Sequence, residues 1–351
     1  MTFPSAALAV PGDLTSLTGG YLYDRQLLSG LRALGRDVLH VPLSASFPDP
    51  SPADNRDAAR RLAALAPDCP VIIDGLAMGA MDREVLANTA APIVALVHHP
   101  LAHESGLDAK RRAELKRRER DNLARAAQVI VTSPHTAALL AAEYDVAPER
   151  VTVARPGTDA APDPLAPADP PLILSVGIQV PRKGHDVLLD ALANVADRRW
   201  QAVIVGEARD TSHAELLGAL AADASLAGRV RLAGRVTAEE LAALYGRASL
   251  FALATRYEGY GIVFDEAMRY GLPIVSCAAG AVPDTVNSEA AILVPPDDRR
   301  AFAAALGRML DDAGAREAMA RASRHAGAAL PGWDETARRV AAILDRVAAH
   351  A

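Results

Sequence analysis

The fold of this chain is decided by residues 172–196, which read LILSVGIQVPRKGHDVLLDALANVA. The stretch opens on a short apolar run, Leu172–Val176, typical of a buried strand, and continues through a loop with glycine, proline and two adjacent cations. From His185 to Ala196 apolar residues recur every three or four positions, which predicts a helix with one buried face. A strand, a loop and a helix in this order predict one βα unit of a parallel sheet.

The same unit recurs along the 351 residues. The predicted strands are Ala6–Val10, Asp37–Val41, Val71–Asp74, Ile93–His98, Val129–Thr132, Leu172–Val176, Gln201–Val205, Val230–Ala233, Leu250–Leu253, Pro273–Ser276 and Ala291–Val294. Further helices are predicted over Tyr21–Leu34, which follows a loop holding Thr18-Gly19-Gly20, and over Asp334–Ala349. Six prolines between Pro156 and Pro171 disfavour helix and central strand, which makes this segment the best linker candidate. We therefore predict two doubly wound α/β domains, residues 1–160 and 168–330, and a final helix within 331–351.

Composition narrows the class of protein. A net charge of −6 argues against a general nucleic-acid binder. Cys69 and Cys277 stand apart in apolar surroundings, so we expect buried free thiols, as suits a reducing cytosol. The apolar segment Met1–Gly12 lacks basic residues at its start and favours a first strand over a signal peptide. No apolar run has the ~18–20 residues that a membrane span needs.

One chemically informative stretch is residues 255–268, TRYEGYGIVFDEAM, after the strand Leu250–Leu253. Its glycines leave the backbone N–H groups free to face an anion, and a helix that begins near Gly261 adds its positive end. At about 100° per residue, the spacing of Glu258 and Glu266 puts them roughly 80° apart on a helix, able to reach two ends of one elongated ligand. A capped helix start with two solvated glutamates explains the pattern equally well.

Two other loops also follow strands. Gly177 begins a loop in which Arg182 and Lys183 are adjacent cations suited to a diphosphate, although a merely basic loop is the alternative. Gly19 and Gly20 could bring backbone close to a ligand, or form an ordinary tight turn. They do not form the G-x-G-x-x-G fingerprint of a dinucleotide site.

The first half offers two further candidates. His98 or His99 could contact a transferred sugar or its acceptor, and His103 and Glu104 nearby raise the question of a metal. These residues match no recognised ligand signature, so a structural histidine is the alternative. The segment Lys110–Arg125 has eight basic and three acidic residues in helical sequence. Such a helix can lie on anionic lipid, or be a solvated face.

Taken together and in this order, the motifs resemble those of family 4 glycosyltransferases, a large retaining group with the GT-B fold. The matching segments are Gly177 with Pro181–Asp186, Val230–Gly234, Glu258–Gly261 with Glu266–Met268, Gly271–Val275, Gly280–Pro283 and Leu293–Asp297. Trp333 resembles the tryptophan that opens the family's final helix. Gly19–Gly20 resembles its glycine loop, and His98 or His99 its active-site histidine.

The resemblance implies two Rossmann-like domains facing a cleft, the first on the acceptor side and the second holding the donor, with the final helix crossing back to the first. It implies a site whose catalytic residues are Glu258, Lys183, Arg182 and His98. The donor-binding residues would be Gly19, Gly20, Gly177, Gly234, Arg235, Gly259, Tyr260, Gly261, Ile262 and Glu266. Glu266 would bind the ribose, Glu258 a sugar hydroxyl, and the two cations the leaving diphosphate. The backbone around Gly234 and Arg235 would line the base. Ile178 departs from the family, where an arginine is frequent, so one phosphate contact is missing.

The resulting hypothesis is a retaining transferase that moves a sugar from a UDP or GDP sugar to a hydroxyl of a glycan, a lipid-linked acceptor or a small metabolite. We expect no metal and no cofactor beyond the donor. We also expect a cytoplasmic protein, with possible peripheral membrane contact through Lys110–Arg125. The alternatives are a GT-B epimerase, hydrolase or phosphorylase, and a non-catalytic nucleotide-sugar binding protein.

Overall fold

The structure is a computed structural model that describes residues 5–104, 106–160 and 165–349. It divides into unit 1, formed by Met1–Gly157 with Pro331–Ala351, and unit 2, formed by Thr158–Leu330. The start of the segment Met1–Gly12, and residues 161–164 of the proline-rich segment, lie outside the described residues.

Unit 1 contains a six-stranded parallel sheet in the order β2-β1-β3-β4-β5-β6. Its strands are β1 (Ala6–Pro11), β2 (Val38–Leu43), β3 (Val71–Asp74), β4 (Ile93–Val97), β5 (Gln128–Val131) and β6 (Val151–Val153). Its first helices are α1 (Gly19–Ala33), α2 (Pro52–Ala63), α3 (Gly75–Met78), α4 (Arg83–Ala87), α5 (Ala109–Leu123) and α6 (Pro134–Glu143).

Unit 2 contains a second six-stranded parallel sheet, in the order β12-β11-β10-β7-β8-β9. Its strands are β7 (Leu172–Val176), β8 (Gln201–Val205), β9 (Val230–Gly234), β10 (Leu250–Leu253), β11 (Ile274–Cys277) and β12 (Ala291–Val294). Its helices are α7 (His185–Ala193), α8 (Thr211–Ala221), α9 (Ala238–Arg247), α10 (Ile262–Arg269), α11 (Val282–Thr285), α12 (Arg299–Asp311) and α13 (Ala313–Ala328). The prediction of two doubly wound parallel sheets is confirmed.

The remaining helix, α14 (Trp333–Ala348), belongs to unit 1. Its predicted apolar face is buried, and the helix packs on α1. The two helices approach each other closely at Gly30 of α1, where an added Cβ would lie only 2.6 Å from the Cβ of Ala337. The last helix of the chain therefore returns to the first sheet.

Two sequence expectations need correction. The strand β6 was not predicted, because it has three residues, all half-buried, at the edge of the sheet. Gly19 and Gly20 are not in a loop or a tight turn. They form the first turn of α1, whose N-cap is Thr18 in an extended conformation. Hydrophobic periodicity could not detect this start because glycine carries no side chain.

Apolar packing covers both faces of each sheet. In β1, Ala7 and Ala9 pack into one hydrophobic cluster, whereas Leu8 and Val10 pack on the opposite face with α1 and α14. Strands buried on both faces are apolar throughout rather than alternating, which explains why the strands were recognised as continuous runs. Both cysteines are buried and free, as predicted.

The strand order places particular loops side by side. In unit 2, β7 lies between β8 and β10, so the loops after β7 and β10 leave the sheet at neighbouring strand ends. In unit 1, β1 lies between β2 and β3, and β4 follows β3. Open α/β sheets bind ligands at such points, beyond the carboxyl ends of the strands. Each unit therefore has one place where a site is expected.

Candidate active site

Two loops of unit 2 bring the predicted cations to the predicted carboxylate. Arg182 and Lys183 end a short 3-10 turn after β7, and Glu258 lies in the loop after β10. Lys183 Nζ donates to Glu258 Oε1 at 2.7 Å, and Arg182 Nη1 lies 3.8 Å from Glu258 Oε2. Three of the predicted catalytic residues therefore form one cluster.

Glu258 is held as an anion inside this cluster. Only 4% of the residue is exposed, and its Oε1 also accepts a hydrogen bond from Thr255 Oγ1 at 3.0 Å. Burial acts to raise the pKa of Glu258, but the charges of Lys183 and Arg182 and the hydrogen bonds from Lys183 and Thr255 lower it below its usual value. Two cations and one anion leave the cluster with a net positive charge.

Arg256 lies in the loop after β10 and links it to the loop after β7. The sequence analysis did not predict this role. Its Nη1 and Nη2 donate to the two carboxylate oxygens of Asp186 at 3.0 and 2.8 Å, and its Nε donates to Asp297 at 2.8 Å. Nη1 also donates to the carbonyl of Pro181, and the backbone N–H of Arg256 donates to the carbonyl of Arg182 at 2.8 Å. Arg256 and Asp186 both lie inside the quoted motifs, but their spacing in the sequence does not indicate that they form an ion pair.

Glycines allow these loops to approach each other. Gly184 has φ of +64°, and a Cβ there would lie 1.9 Å from the carbonyl oxygen of Ala254. Gly280 has φ of +55°, and its Cβ would lie 2.3 Å from the carbonyl oxygen of Glu258. Any other residue at either position would force the neighbouring backbone to move. Gly261, with φ of +93°, is the N-cap of α10.

Glu266 lies in the second turn of α10, as predicted, in a different environment from Glu258. Its Oε2 accepts a hydrogen bond from Tyr245 Oη at 2.8 Å. Burial raises the pKa of Glu266 to about 7, with the hydrogen bond from Tyr245 opposing the rise and the charge of Asp159 adding to it. Tyr245 was not predicted, because an isolated tyrosine on α9 gives no signal in the sequence.

The positions of other residues predicted to bind the donor give less direct support for that role. Gly177 directly follows β7 and packs on Lys183, whose Cδ would lie 3.2 Å from a Cβ added at Gly177. After Gly259, the side chain of Tyr260 is buried and donates to Asp265 at 2.5 Å. Tyr260 could therefore offer a ligand only its backbone. Ile262 is the first residue of α10 and is half-buried.

Gly234 and Arg235 lie farther along the sheet. Gly234 ends the edge strand β9, and β8 separates that strand from β7. Gly234 has φ of +61°, and apart from Gly234 and its two chain neighbours, no atom of the described residues lies within 4 Å of the position that a Cβ would take. Their predicted role at the base of a nucleotide needs a ligand long enough to reach past β8.

In unit 1, His98 follows β4 and lies beside two buried carboxylates. His98 Nε2 is 3.1 Å from Asp24 Oδ1 and 3.4 Å from Asp74 Oδ2. Gly20 packs on the ring, since a Cβ there would lie 3.3 Å from His98 Cδ2. Sequence reasoning missed both aspartates, although an acid that closes the apolar strand β3, as Asp74 does, is a signal that could have been used.

Asp24, Asp74 and His98 are also the residues that could hold a metal ion, since their ligand atoms all lie within 4.8 Å of one another. No other group of three such residues occurs in the described ranges. His99 is directed elsewhere, with Nε2 3.1 Å from Glu104 Oε2. The structure therefore does not form a ligand set from neighbouring histidines.

The predicted basic helix is α5, and most of its charge is compensated. Its cations that form ion pairs are Arg111, Lys116, Arg117, Arg118 and Arg120. On the inner side of α5, Glu119 is buried and accepts the backbone N–H of Leu101 at 3.0 Å. Burial raises the pKa of Glu119 to about 8, against the opposing effect of that hydrogen bond. Within the described part of the chain, no helix is both long and apolar enough to cross a membrane.

Comparison with known proteins assigns the chain to a family. The family model described as "Glycosyl transferases group 1" matches residues 158–326, and that described as "Glycosyltransferase Family 4" matches residues 14–161. The chain is 28% identical over 325 residues to an MMP alpha-(1->4)-mannosyltransferase of Mycolicibacterium hassiacum, which covers 88% of this chain and 77% of that protein.

A second relative is the GDP-mannose-dependent alpha-(1-6)-phosphatidylinositol monomannoside mannosyltransferase of Mycolicibacterium smegmatis. It is 33% identical over 211 residues, so the match spans about half of each chain, 54% in both cases. Among solved structures, HepE of Anabaena in complex with UDP and glucose has a TM-score of 0.78 at 16% identity, covering 97% of this chain and 99% of that one. At this identity the likeness shows the fold.

The two family matches together run from residue 14 to residue 326, and they meet near the boundary between the two units. The match over residues 14–161 contains β2 to β6 of the first sheet, and the match over residues 158–326 contains all six strands of the second sheet. The chain therefore belongs to the family 4 glycosyltransferases, transferases with a two-domain α/β fold of the GT-B type.

Proposed function

We propose that the protein transfers a sugar from a nucleotide diphosphate sugar to a hydroxyl acceptor, with retention of anomeric configuration and without a metal ion. The observation that carries the proposal is the contact of Lys183 and Arg182 with Glu258 where β7 and β10 lie side by side. A cluster with net positive charge beyond the strand ends suits a diphosphate. We expect no cofactor other than the donor itself.

The chemistry places negative charge on the leaving group. As the bond from the anomeric carbon to the diphosphate oxygen breaks, its electron pair moves to the diphosphate. Lys183, Arg182 and the N-terminus of α10 would stabilise that charge in place of a metal, a contribution that is often the largest in catalysis. The acceptor hydroxyl attacks the same face of the oxocarbenium-like carbon, and its proton passes to the departing diphosphate oxygen.

The two glutamates have separate roles in this proposal. Glu258, fixed by Lys183 and Thr255, accepts a hydrogen bond from a hydroxyl of the transferred sugar. Glu266, with Tyr245 beside it, binds the ribose hydroxyls of the nucleotide. Gly234 and Arg235 line the base.

The relatives support a nucleotide donor. The M. smegmatis protein is named as GDP-mannose-dependent, and HepE was solved with UDP and glucose. We therefore expect a UDP or GDP sugar. The name of the M. smegmatis protein also contains phosphatidylinositol monomannoside. For this chain we keep a glycan, a lipid-linked intermediate and a small metabolite as acceptor classes.

We place this activity in the cytoplasm, in keeping with the buried free thiols of Cys69 and Cys277. Peripheral contact with the membrane would use the basic helix α5. The ion pairs on α5 reduce the charge that it offers to lipid. Binding to vesicles with and without anionic lipid tests the contact, and equal binding to both would remove it from the proposal.

Donor binding is tested by thermal shift with UDP-, GDP- and ADP-sugars, each with and without EDTA. We expect stabilisation by one nucleotide class, unchanged by EDTA, and lost in Lys183→Met. The matched control is Arg60→Met, which removes a cation whose side chain is 77% exposed on α2. Stabilisation that requires a divalent ion would contradict the metal-independent proposal.

Transfer is tested with isotope-labelled donor and a cell extract as the source of acceptor. A new labelled product supports a transferase, and NMR coupling at its anomeric carbon reports retention or inversion. Release of free sugar or sugar phosphate would instead indicate a hydrolase, epimerase or phosphorylase. Binding without turnover would indicate a non-catalytic protein.

A further inference from the structure

The cluster of His98, Asp24 and Asp74 has no role in the proposed chemistry so far. Asp24 comes from α1 and Asp74 from the end of β3, and both carboxylates face the same nitrogen, His98 Nε2. The side chains of Asp24 and Asp74 are 2% and 3% exposed, whereas that of His98 is 19% exposed. One ring nitrogen is therefore enclosed by acids while part of the ring remains open.

Electrostatics decides the charge of such a ring. Two carboxylates withdrawn from water repel each other and need a nearby cation. Burial acts to lower the pKa of His98, but the charges of Asp24 and Asp74 and the hydrogen bonds to them raise it to about 10. Among the described residues, Tyr23 also faces the ring, edge to face at 5.3 Å. Burial together with the charge of Asp24 raises the pKa of Tyr23, so Tyr23 stays neutral.

Both carboxylates lie at Nε2, so Nδ1 is the ring nitrogen that neither of them contacts. Among the described residues, the side chains that form hydrogen bonds or ion pairs with the His98 ring lie at Nε2, and the ring also packs against Gly20 and Tyr23. When Nε2–H is shared by the two carboxylates, Nδ1 of a charged ring carries the second proton. Nδ1 can then donate a hydrogen bond but cannot accept one.

We propose that Asp24 and Asp74 are positioning residues that hold His98 as an imidazolium, so that its Nδ1–H donates to an oxygen of a bound substrate. The proposal rests on the proposed function for the identity of that substrate. It assigns His98 the role of a fixed hydrogen-bond donor, because a ring that carries both protons cannot act as a base for the acceptor hydroxyl. It also assigns the two aspartates to the histidine rather than to a metal ion.

The protonation state is measured directly by NMR on protein labelled with ¹⁵N-histidine, with the His98 signals identified from a His98→Asn variant. We expect both ring nitrogens of His98 to show imidazolium shifts up to about pH 9 in the wild type. In Asp24→Asn, one carboxylate is lost, and the ring should titrate between about pH 6 and 9. Glu104→Gln, which changes the carboxylate beside His99, is the matched control and should leave the His98 signals unchanged.

Activity supplies a second readout that loss of folding would not imitate. Above its new pKa, Asp24→Asn should lose turnover by roughly tenfold per pH unit as His98 deprotonates, and recover it near pH 6. The double variant Asp24→Asn with His98→Asn should lack this alkaline loss. Asp74→Asn should behave as Asp24→Asn does.

Three results would overturn the proposal. One is a wild-type His98 with an unprotonated ring nitrogen at pH 7.5, and another is a pH profile of Asp24→Asn parallel to that of the wild type. The third is a metal ion in the purified protein whose removal by a chelator shifts the His98 signals. Because the NMR measurement needs no turnover, absence of nucleotide-sugar transfer would defeat the proposed function while the protonation of His98 is still decided.

Discussion

Replacing Lys183 with methionine tests the site more sharply than any other single change. Methionine keeps most of the length of the side chain but removes the ammonium that donates to Glu258 at 2.7 Å. Since Glu258 is 4% exposed, its charge cannot turn to water in the variant. The variant therefore leaves a buried anion with fewer partners.

The size of the effect follows from what remains around Glu258. Removing one partner of a buried ion pair costs about 3–5 kcal/mol. The hydrogen bond from Thr255 and the charge of Arg182 are kept, so we expect about 3 kcal/mol, at the lower end of that range. One kcal/mol shifts the melting temperature of a unit of this size by about 2–4 °C, so unit 2 should melt roughly 6–12 °C lower.

Removing the carboxylate as well should restore part of the loss. Glu258→Gln should cost about 1–2 kcal/mol by itself, because the amide oxygen still accepts a hydrogen bond. The double variant Lys183→Met with Glu258→Gln should then be more stable than the sum of the two single changes by about 1–3 kcal/mol. Turnover in Lys183→Met should fall by a factor of about 100 or more, because one preorganised contact to the leaving group is lost.

The chain offers a local probe for this measurement. It contains two tryptophans, of which Trp200 is buried in unit 2 and Trp333 begins α14 in unit 1. In a Trp333→Phe background, the fluorescence of Trp200 reports the melting of unit 2 alone. All four proteins of the cycle are compared in that background. A Lys183→Met protein that melts within about 2 °C of its parent, or that retains full turnover, would refute the reasoning.

The remaining predictions use single changes. Gly184→Ala should lower the melting temperature of unit 2 and abolish turnover, since the new Cβ would meet the carbonyl oxygen of Ala254 at 1.9 Å; unchanged melting would contradict the loop geometry. Burial raises the pKa of Glu119 to about 8. Above about pH 5, the folded protein therefore keeps a proton on Glu119 that the unfolded protein has released. The stability of the folded state should then fall as the pH rises to about 8. In thermal melts at pH 5 and pH 8, Glu119→Gln should lose less stability between the two pH values than the wild type does. An equal loss of stability in both proteins would contradict the prediction. With the pKa of Glu266 raised to about 7, mainly by burial, the KM for the donor should decrease between pH 6 and 8 as the carboxylate ionises to bind ribose. Glu266→Gln should raise the KM and remove its pH dependence, which steady-state kinetics at several pH values would reveal or exclude.

The sequence predicts unit 2 well because its signals are local. The strand Leu172–Val176, the cations Arg182 and Lys183 and the helix from His185 all lie within one short stretch, and apolar runs and turn residues mark each boundary. The same holds for the loop that carries Glu258. Each loop could be assigned to the end of a strand without knowing where that strand lies in the sheet.

The partners of these residues could not be predicted, because strand order decides them. Lys183 meets Glu258, 75 positions away, only because β10 is placed beside β7. Asp24 meets His98 across 74 positions for a similar reason in the first sheet. Hydrophobic periodicity and motif spacing describe single helices and strands. They do not indicate which helices and strands become neighbours in the fold.

The pair Glu258 and Glu266 invites comparison with the two carboxylates of a glycosidase, one a proton donor and the other a nucleophile. A proton donor must hold its proton at the working pH. Burial acts to raise the pKa of Glu258, but Lys183 and Arg182 lower it, so this residue is ionised and cannot serve as the acid. Glu258 is also engaged by two donors on one oxygen, Lys183 and Thr255, which weakens it as a nucleophile. The environments of these residues therefore favour a binding role for Glu258, with the cations rather than the carboxylates acting on the bond that breaks.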